Sequence, residues 1–231
     1  MANHCNPEMR STPYFGYQIC RAIGRHLDRV VLATQVRNRD AFERIRARGD
    51  LPHSLEVEFI DSEYVTAPMN KLSRLLRGGA NKALTLDVAL NLPPYFTFEC
   101  EVWKRFKFDL RKRQFDLAHR VTPLSPTLPS PLAKWSPVPF VVGPVNGGLR
   151  WPRAFKAELK REREWLTFVR DAHKHLPYWK STYRNAAAIL AGFEHTRRGL
   201  PTDVDPNRVF DCPDVGFNDD DNRWQERTQP S

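Results

Sequence analysis

Residues 115–148 read FDLAHRVTPLSPTLPSPLAKWSPVPFVVGPVNGG. Phe115 to Val121 predicts a buried strand closing on His119 and Thr122. Pro129-Ser130-Pro131 starts a short helix, and PFVVGPV supplies a second apolar strand that runs into Asn146-Gly147-Gly148. Strand, helix and strand in this order form one βαβ unit, and in open parallel sheets ligands lie outside the carboxyl ends of the strands. His119, Thr122, Asn146, Gly147 and Gly148 all fall at such ends. The segment therefore indicates where a site belongs as well as which fold carries it.

Towards the amino terminus, residues 13–27 have the apolar spacing of an amphipathic helix, and VVLAT (30–34) is a short β-branched run suited to a buried strand. Arg39 to Arg48 reads as a charged helix ended by Gly49. LEVEFI (55–60) alternates at period two, as an edge-side strand does. Residues 64–98 read as irregular or weakly helical, broken by Pro68, Gly78-Gly79 and Pro93-Pro94, and 99–113 as a helix. After Gly148 come a long helical pattern (153–176), a small apolar strand (186–191), a short helix or turn (193–200) and a last strand (208–212). The stretch from Asn218, NDDDNRWQERTQPS, has the composition of a disordered polar tail, residues 218–231. The alternation predicts an α/β fold, a Rossmann-like doubly wound parallel sheet spanning residues 1–217.

With 41% apolar and 11% aromatic residues the chain can build a core rather than stay disordered. No window approaches the ~20 apolar residues of a membrane span, and MANHCNPEMR lacks a secretory pattern, so the expected location is cytoplasmic. A net charge of +9 attracts anions. The chain has no helix-turn-helix, zinc-finger or stacking-platform signature, so no nucleic-acid partner is expected. The absence of G-x-S-x-G and of G-x-G-x-x-G after a strand argues against a serine nucleophile elbow and against dinucleotide binding. Cys5, Cys20, Cys100 and Cys212 are scattered without C-x-x-C spacing, which predicts isolated reduced thiols and no metal site.

The order of these motifs resembles the amino-terminal half of family 4, GT-B fold bacterial glycosyltransferases. The likeness rests on His119-x-x-Thr122, Pro129-Ser130-Pro131, the Gly143-Pro144 turn with its Gly147-Gly148 loop, Cys5-Asn6-Pro7 with Ser11, Gly16 and Tyr17, and Thr34 with Asn38-Arg39. It covers roughly residues 4–217. The resemblance implies an acceptor-side domain that helps move a sugar from a nucleotide-sugar donor to a glycan or lipid-linked acceptor, in polysaccharide or cell-envelope glycan synthesis. It implies no cofactor and no metal, because the donor domain of such enzymes neutralises the leaving diphosphate with basic side chains and a helix terminus. It places His119 near the reacting sugar and makes Ser11, Gly16, Thr122, Asn146, Gly147, Gly148 and Arg150 substrate contacts. At the first loop the family's Gly-Ser-Glu is replaced by Arg10-Ser11-Thr12. The family's second domain, with its Glu-x7-Glu motif, has no counterpart here, and only MANH stands where its first apolar strand would be. The expectation is a sequence short at both ends, with unpaired edges at the centre of the sheet and a marginal stability.

Each site residue has a plainer alternative. His119 can satisfy a backbone carbonyl instead of a ligand, and Asn146-Gly147-Gly148 can be an ordinary turn. On the helix 101–113, Lys104, Lys107 and Arg111 flank one side of an apolar stripe and Arg105 and Lys112 the other. These charges suit an anionic membrane surface at the inner face of the cell membrane, or a solvated face above a core-facing stripe. A fold without turnover, a remnant or a sugar- or phosphate-binding module, is the alternative to the enzyme.

Overall fold

The computed structural model describes residues 1–76, 84–147 and 172–213. In chain order these form α1 (Thr12–His26), β1 (Val30–Gln35), α2 (Arg39–Ala47), β2 (Leu55–Ile60), α3 (Glu63–Leu76), α4 (Leu84–Arg111), β3 (Ala118–Arg120), α5 (Leu132–Trp135), β4 (Phe140–Val145), α6 (Trp179–Asn185), β5 (Ala186–Ala191), α7 (Glu194–Arg198) and β6 (Val209–Asp211). The chain is a mixed α/β protein, and among the described residues all strand pairs are parallel. β1 pairs with β2, and β3, β4, β5 and β6 pair in that order.

Met1 to His4 joins the two sets of strands. The Ala2 N–H donates to the Ala33 carbonyl of β1 at 2.9 Å, and the Val121 N–H donates to the Met1 carbonyl at 2.9 Å. The amino group of Met1 donates to the His119 carbonyl at 2.5 Å, and Ala2 bridges Thr122 in parallel. The spatial order is therefore β2, β1, residues 1–4, β3, β4, β5, β6. The short MANH segment occupies the central position, so the unpaired central edges expected from the sequence are not found.

Apolar side chains leave this sheet on both faces. Leu32 and Val121 join Tyr17, Cys20, Phe42 and Ile45 of α1 and α2 in one buried cluster. Ala33, Phe140 and Val142 join Phe98, Val102 and Phe106 of α4 and Trp179 and Tyr183 of α6 in another. Neighbours such as Leu32 and Ala33 pack into different clusters because successive strand residues face opposite sides.

Between residues 63 and 98 the structure is more helical than the sequence reading, and the helix read over 99–113 is the second half of α4. Pro68 lies inside α3, and Pro93 and Pro94 lie inside the 28-residue α4. A proline removes one backbone donor, but its fixed φ suits a helix, and tertiary packing can hold the helix through it. Here Tyr95, Phe98, Val102, Phe106 and Leu110 recur at three- and four-residue intervals and are all buried. Tyr64 on α3 also donates to Glu101 on α4 at 2.9 Å. The helical pattern of 153–176 and the tail from Asn218 lie outside the described residues. Among the described residues no helix is long and apolar enough to cross a membrane.

A buried network joining two opposite charges through Tyr95 sits under β3. Arg120 and Glu99 are both fully enclosed. Arg120 donates to Tyr95 Oη at 3.3 Å and to the Leu128 carbonyl at 2.7 Å, and Tyr95 in turn donates to Glu99. Glu99 also accepts from Ser130 Oγ at 2.7 and 2.8 Å and from the Leu132 N–H at 3.2 Å. Burial pushes the Glu99 carboxyl up, against the pull of Tyr95, Arg120, Ser130 and Leu132. Removing one member of such a pair leaves the other charge uncompensated, a loss of about 3–5 kcal/mol. Glu99→Ala is expected to lose that much in urea unfolding. The double variant Glu99→Leu with Arg120→Met, which removes both charges, is expected to lose less than the single one.

Candidate functional site

An open cleft of about 500 Å³ lies at the carboxyl ends of the central strands, lined by His4, Thr12, Pro123, Leu124, Ser125 and Asn146. His4 ends the amino-terminal segment, Thr12 begins α1, residues 123–125 follow β3 and Asn146 follows β4. From residues 1–4 the sheet proceeds to β1 on one side and to β3 on the other. The cleft thus sits where strand order reverses, the usual ligand position in open α/β sheets.

The cleft walls are held by buried polar contacts. Thr122, 1% exposed, donates its hydroxyl to the His4 carbonyl at 2.9 Å and accepts the His4 N–H at 3.0 Å. Both capacities of the hydroxyl are thereby spent on His4, and Thr122 acts as a staple between strand ends. Gly16 has a related role. A Cβ at this position would come within 2.5 Å of the His4 carbonyl oxygen and 2.9 Å of Thr122 Cγ2. Glycine lets α1 pack directly on the strand end, so Gly16 positions the cleft rather than lining it. Asn38 donates to Thr34 Oγ1 at 3.1 Å and accepts from Asn6 at 3.0 Å. Asn6 Oδ1 then accepts the backbone N–H groups of Glu8 and Met9. This chain of side-chain bonds fixes the first loop.

Ser11 precedes α1 with φ 64 and ψ −141 and makes no side-chain cap bond. It is exposed beside the cleft-lining Thr12. Asn146 lines the cleft, held through its N–H to the Leu124 carbonyl at 2.7 Å. Gly147 has φ 147, and its carbonyl accepts from Thr196 Oγ1 at 2.9 Å. Gly148 and Arg150 lie outside the described residues.

His119 makes the carbonyl contact that was one of its two sequence readings. Its Nε2 lies 2.6 Å from the Gly143 carbonyl oxygen, and since a carbonyl only accepts, Nε2 carries the proton. The β4–β5 register is irregular between Val142 and Val145. Gly143, with φ 124, could bear no Cβ there without approaching the Leu190 carbonyl oxygen to 2.4 Å. The imidazole thus partners a carbonyl at a break in the ladder.

The sequence reading missed His4 as a cleft residue. Its side chain is exposed to the cleft, and the surrounding protein lowers its pKa through desolvation, with Arg37 adding to the effect. The signal was present in the sequence: once MANH is taken as a strand, its last residue falls at a carboxyl end by the rule applied to His119.

The basic flank of α4 is largely engaged within the fold. Lys104 pairs with Glu101 at 2.7 Å, and Arg105 with Glu58 at 2.9 Å. Lys107 lies over the Phe108 ring and Arg111 over Trp103, while Lys112 is exposed. Among the described residues no group of three or more His, Cys, Asp or Glu could hold a metal ion. No family model, curated protein or solved structure matches the chain.

Burial lowers the His119 pKa from 6.5 to about 4, with the chain amino group and Arg120 adding to the shift and the Gly143 carbonyl opposing it. The unfolded chain therefore binds a proton near pH 6.5 that the folded chain refuses until about pH 4. Stability from this residue is complete above pH 6.5 and falls as pH drops through that window, by at most about 1.4 kcal/mol per pH unit. Urea unfolding at several pH values should show this slope. His119→Gln, which keeps an amide donor for Gly143, should flatten it.

Proposed function

We propose that this chain is the acceptor-side domain of a glycosyltransferase that transfers a sugar from a nucleotide-sugar donor to a glycan or lipid-linked acceptor, in polysaccharide or cell-envelope glycan synthesis. The observation that carries the reading is the lining of the cleft at the strand reversal. His4, Thr12, Ser125 and Asn146 line it beside the apolar Pro123 and Leu124. Uncharged donors and acceptors next to an apolar wall suit the hydroxyl-bearing edges and C–H faces of a sugar. The motif order of residues 4–217 supports the same reading. In it the nucleotide-sugar is a co-substrate held by a donor domain, His4 binds an acceptor hydroxyl, and Asn146 is cleft wall.

The alternative, a sugar- or phosphate-binding module without turnover, draws on two observations. His119 is committed to Gly143, and Arg10 stands where the resembling family has a glycine. Transfer of radiolabelled sugar from nucleotide-sugars, assayed with the chain alone and with a donor domain carrying Glu-x7-Glu from a neighbouring reading frame, separates the two. The proposal expects transfer only in the combined assay. Sugar binding by the chain with no transfer in either assay identifies the module.

The same reading places the protein at the inner face of the cell membrane, where lipid-linked acceptors lie. Phe108 is 60% exposed and is flanked by Lys107, Arg111 and Lys112, which remain after Lys104 and Arg105 have found carboxylate partners. Surface basic residues contribute on the order of 1 kcal/mol each to binding an anionic bilayer, screened within a Debye length. Sedimentation with anionic vesicles should show weak binding that high salt abolishes and that Lys107→Glu with Arg111→Glu reduces. Equal binding to neutral vesicles would remove the membrane role.

A further inference from the structure

Asn146 and Gly147 are the one Asn-Gly pair in the sequence; none of the other asparagines is followed by glycine. Asparagine is a thermolabile residue, and its side-chain carbonyl carbon lies within ring-closing reach of the next residue's backbone nitrogen. A side chain on that next residue shields the nitrogen, whereas glycine leaves it open. The fold makes the glycine obligatory here. Gly147 has φ 147, which residues with a Cβ rarely adopt, and a Cβ there would sit 3.0 Å from Pro126 Cδ. The fold also admits the co-reactant, because Asn146 lines the open cleft after β4, within reach of water.

We propose that Asn146 is a modification site, at which deamidation by water replaces its carboxamide with a carboxylate and gives the cleft a negative charge that none of its lining residues carries at synthesis. The Gly147 nitrogen attacks Asn146 Cγ. The N–Cγ bond forms, the Cγ–Nδ2 bond breaks, and the proton of the attacking nitrogen leaves with the amide nitrogen as ammonia, which closes a succinimide. Water then adds to one of the two ring carbonyls. Breaking the new N–Cγ bond leaves aspartate at position 146. Breaking the original peptide bond instead leaves isoaspartate, in which the chain runs through Cβ and Cγ. The second product inserts one backbone atom between two anchored groups. These are the Asn146 N–H on the Leu124 carbonyl at 2.7 Å and the Gly147 carbonyl on Thr196 Oγ1 at 2.9 Å, so the cleft wall is pulled against both anchors. Either product brings an anion into the cleft that His4 also lines, which favours the protonated imidazole. The chemistry calls on neither a sugar nor a donor domain and stands apart from the transferase reading.

Tryptic cleavage after Lys134 and Arg150 isolates Asn146 in peptide 135–150, which holds no other asparagine and no glutamine. The full chain is aged in neutral buffer, folded or in guanidinium chloride, and samples are digested and weighed by mass spectrometry at intervals. The expected result is steady conversion of this peptide to a form heavier by the exchange of an amino group for a hydroxyl, part of it labelled by an isoaspartate methyltransferase. Because two hydrogen bonds anchor the loop, the folded chain should convert within ~30-fold of the rate in denaturant. Asn146→Gln should abolish the conversion, since glutamine must close a larger and slower ring. Gly147→Ala should slow it in denaturant, where strain at this position plays no part. A folded chain slower than that range, equal conversion at the other asparagines of the folded chain, conversion that survives Asn146→Gln, or an unchanged rate in denatured Gly147→Ala would each overturn the proposal.

Discussion

The sheet depends on the pairing of Met1 to His4 between β1 and β3. Without it the molecule would be two unconnected sets of strands, β1 with β2 and β3 with β4, β5 and β6. The backbone groups of Ala33, His119 and Val121 would also lose partners. Unsatisfied buried backbone groups cost ~1–3 kcal/mol each, a large share of a domain's ~5–15 kcal/mol stability. So short a segment suffices because side chains reinforce it. Thr122 brackets His4 on both backbone groups, and buried Gln35 donates to buried Asn3.

The same reinforcement divides the motif residues into two kinds. Thr122, Gly16, Asn6, Thr34 and Asn38 are engaged in holding one another, and their polar atoms point at the protein. His4, Thr12, Ser125 and Asn146 line the open space that this scaffold leaves. A motif spaced for a binding site therefore contains both the residues that meet a ligand and those that hold the former in place, and spacing alone does not tell them apart. Arg120 and Glu99 complete the support from below, tying β3, α4 and the loop before α5 into one polar assembly within an apolar layer.

Much of the fold was legible from periodicity. VVLAT, PFVVGPV and AAAILA are strands because their apolar, β-branched or small residues suit a sheet covered on both faces, and LEVEFI is one because it alternates at period two at the sheet's edge. The second half of α4 was legible as the helix 99–113, but α3 and the first half of α4 were not, because local proline signals at 68, 93 and 94 were outweighed by a buried stripe visible only once Phe98, Val102 and Phe106 have a sheet to pack on. The cleft was half legible. Asn146 followed from the strand-end rule, but His4 required knowing that four residues can serve as a strand.

The loop between β3 and α5, which forms one wall of the cleft, has little secondary structure of its own and is fastened by residues made much later. Pro126 accepts hydrogen bonds from Trp179 and Tyr183, and Ser130 exchanges bonds with Thr182, at sequence separations of 52–57 residues. On a ribosome adding ~5–20 residues per second, those partners follow the loop by roughly 3–11 s. During that interval β3 and α4 can already be packed while the wall above them is held by Arg120 and Glu99 alone. The cleft is thus completed late in synthesis, and a nascent chain paused before residue 179 carries the sheet's ligand edge half built.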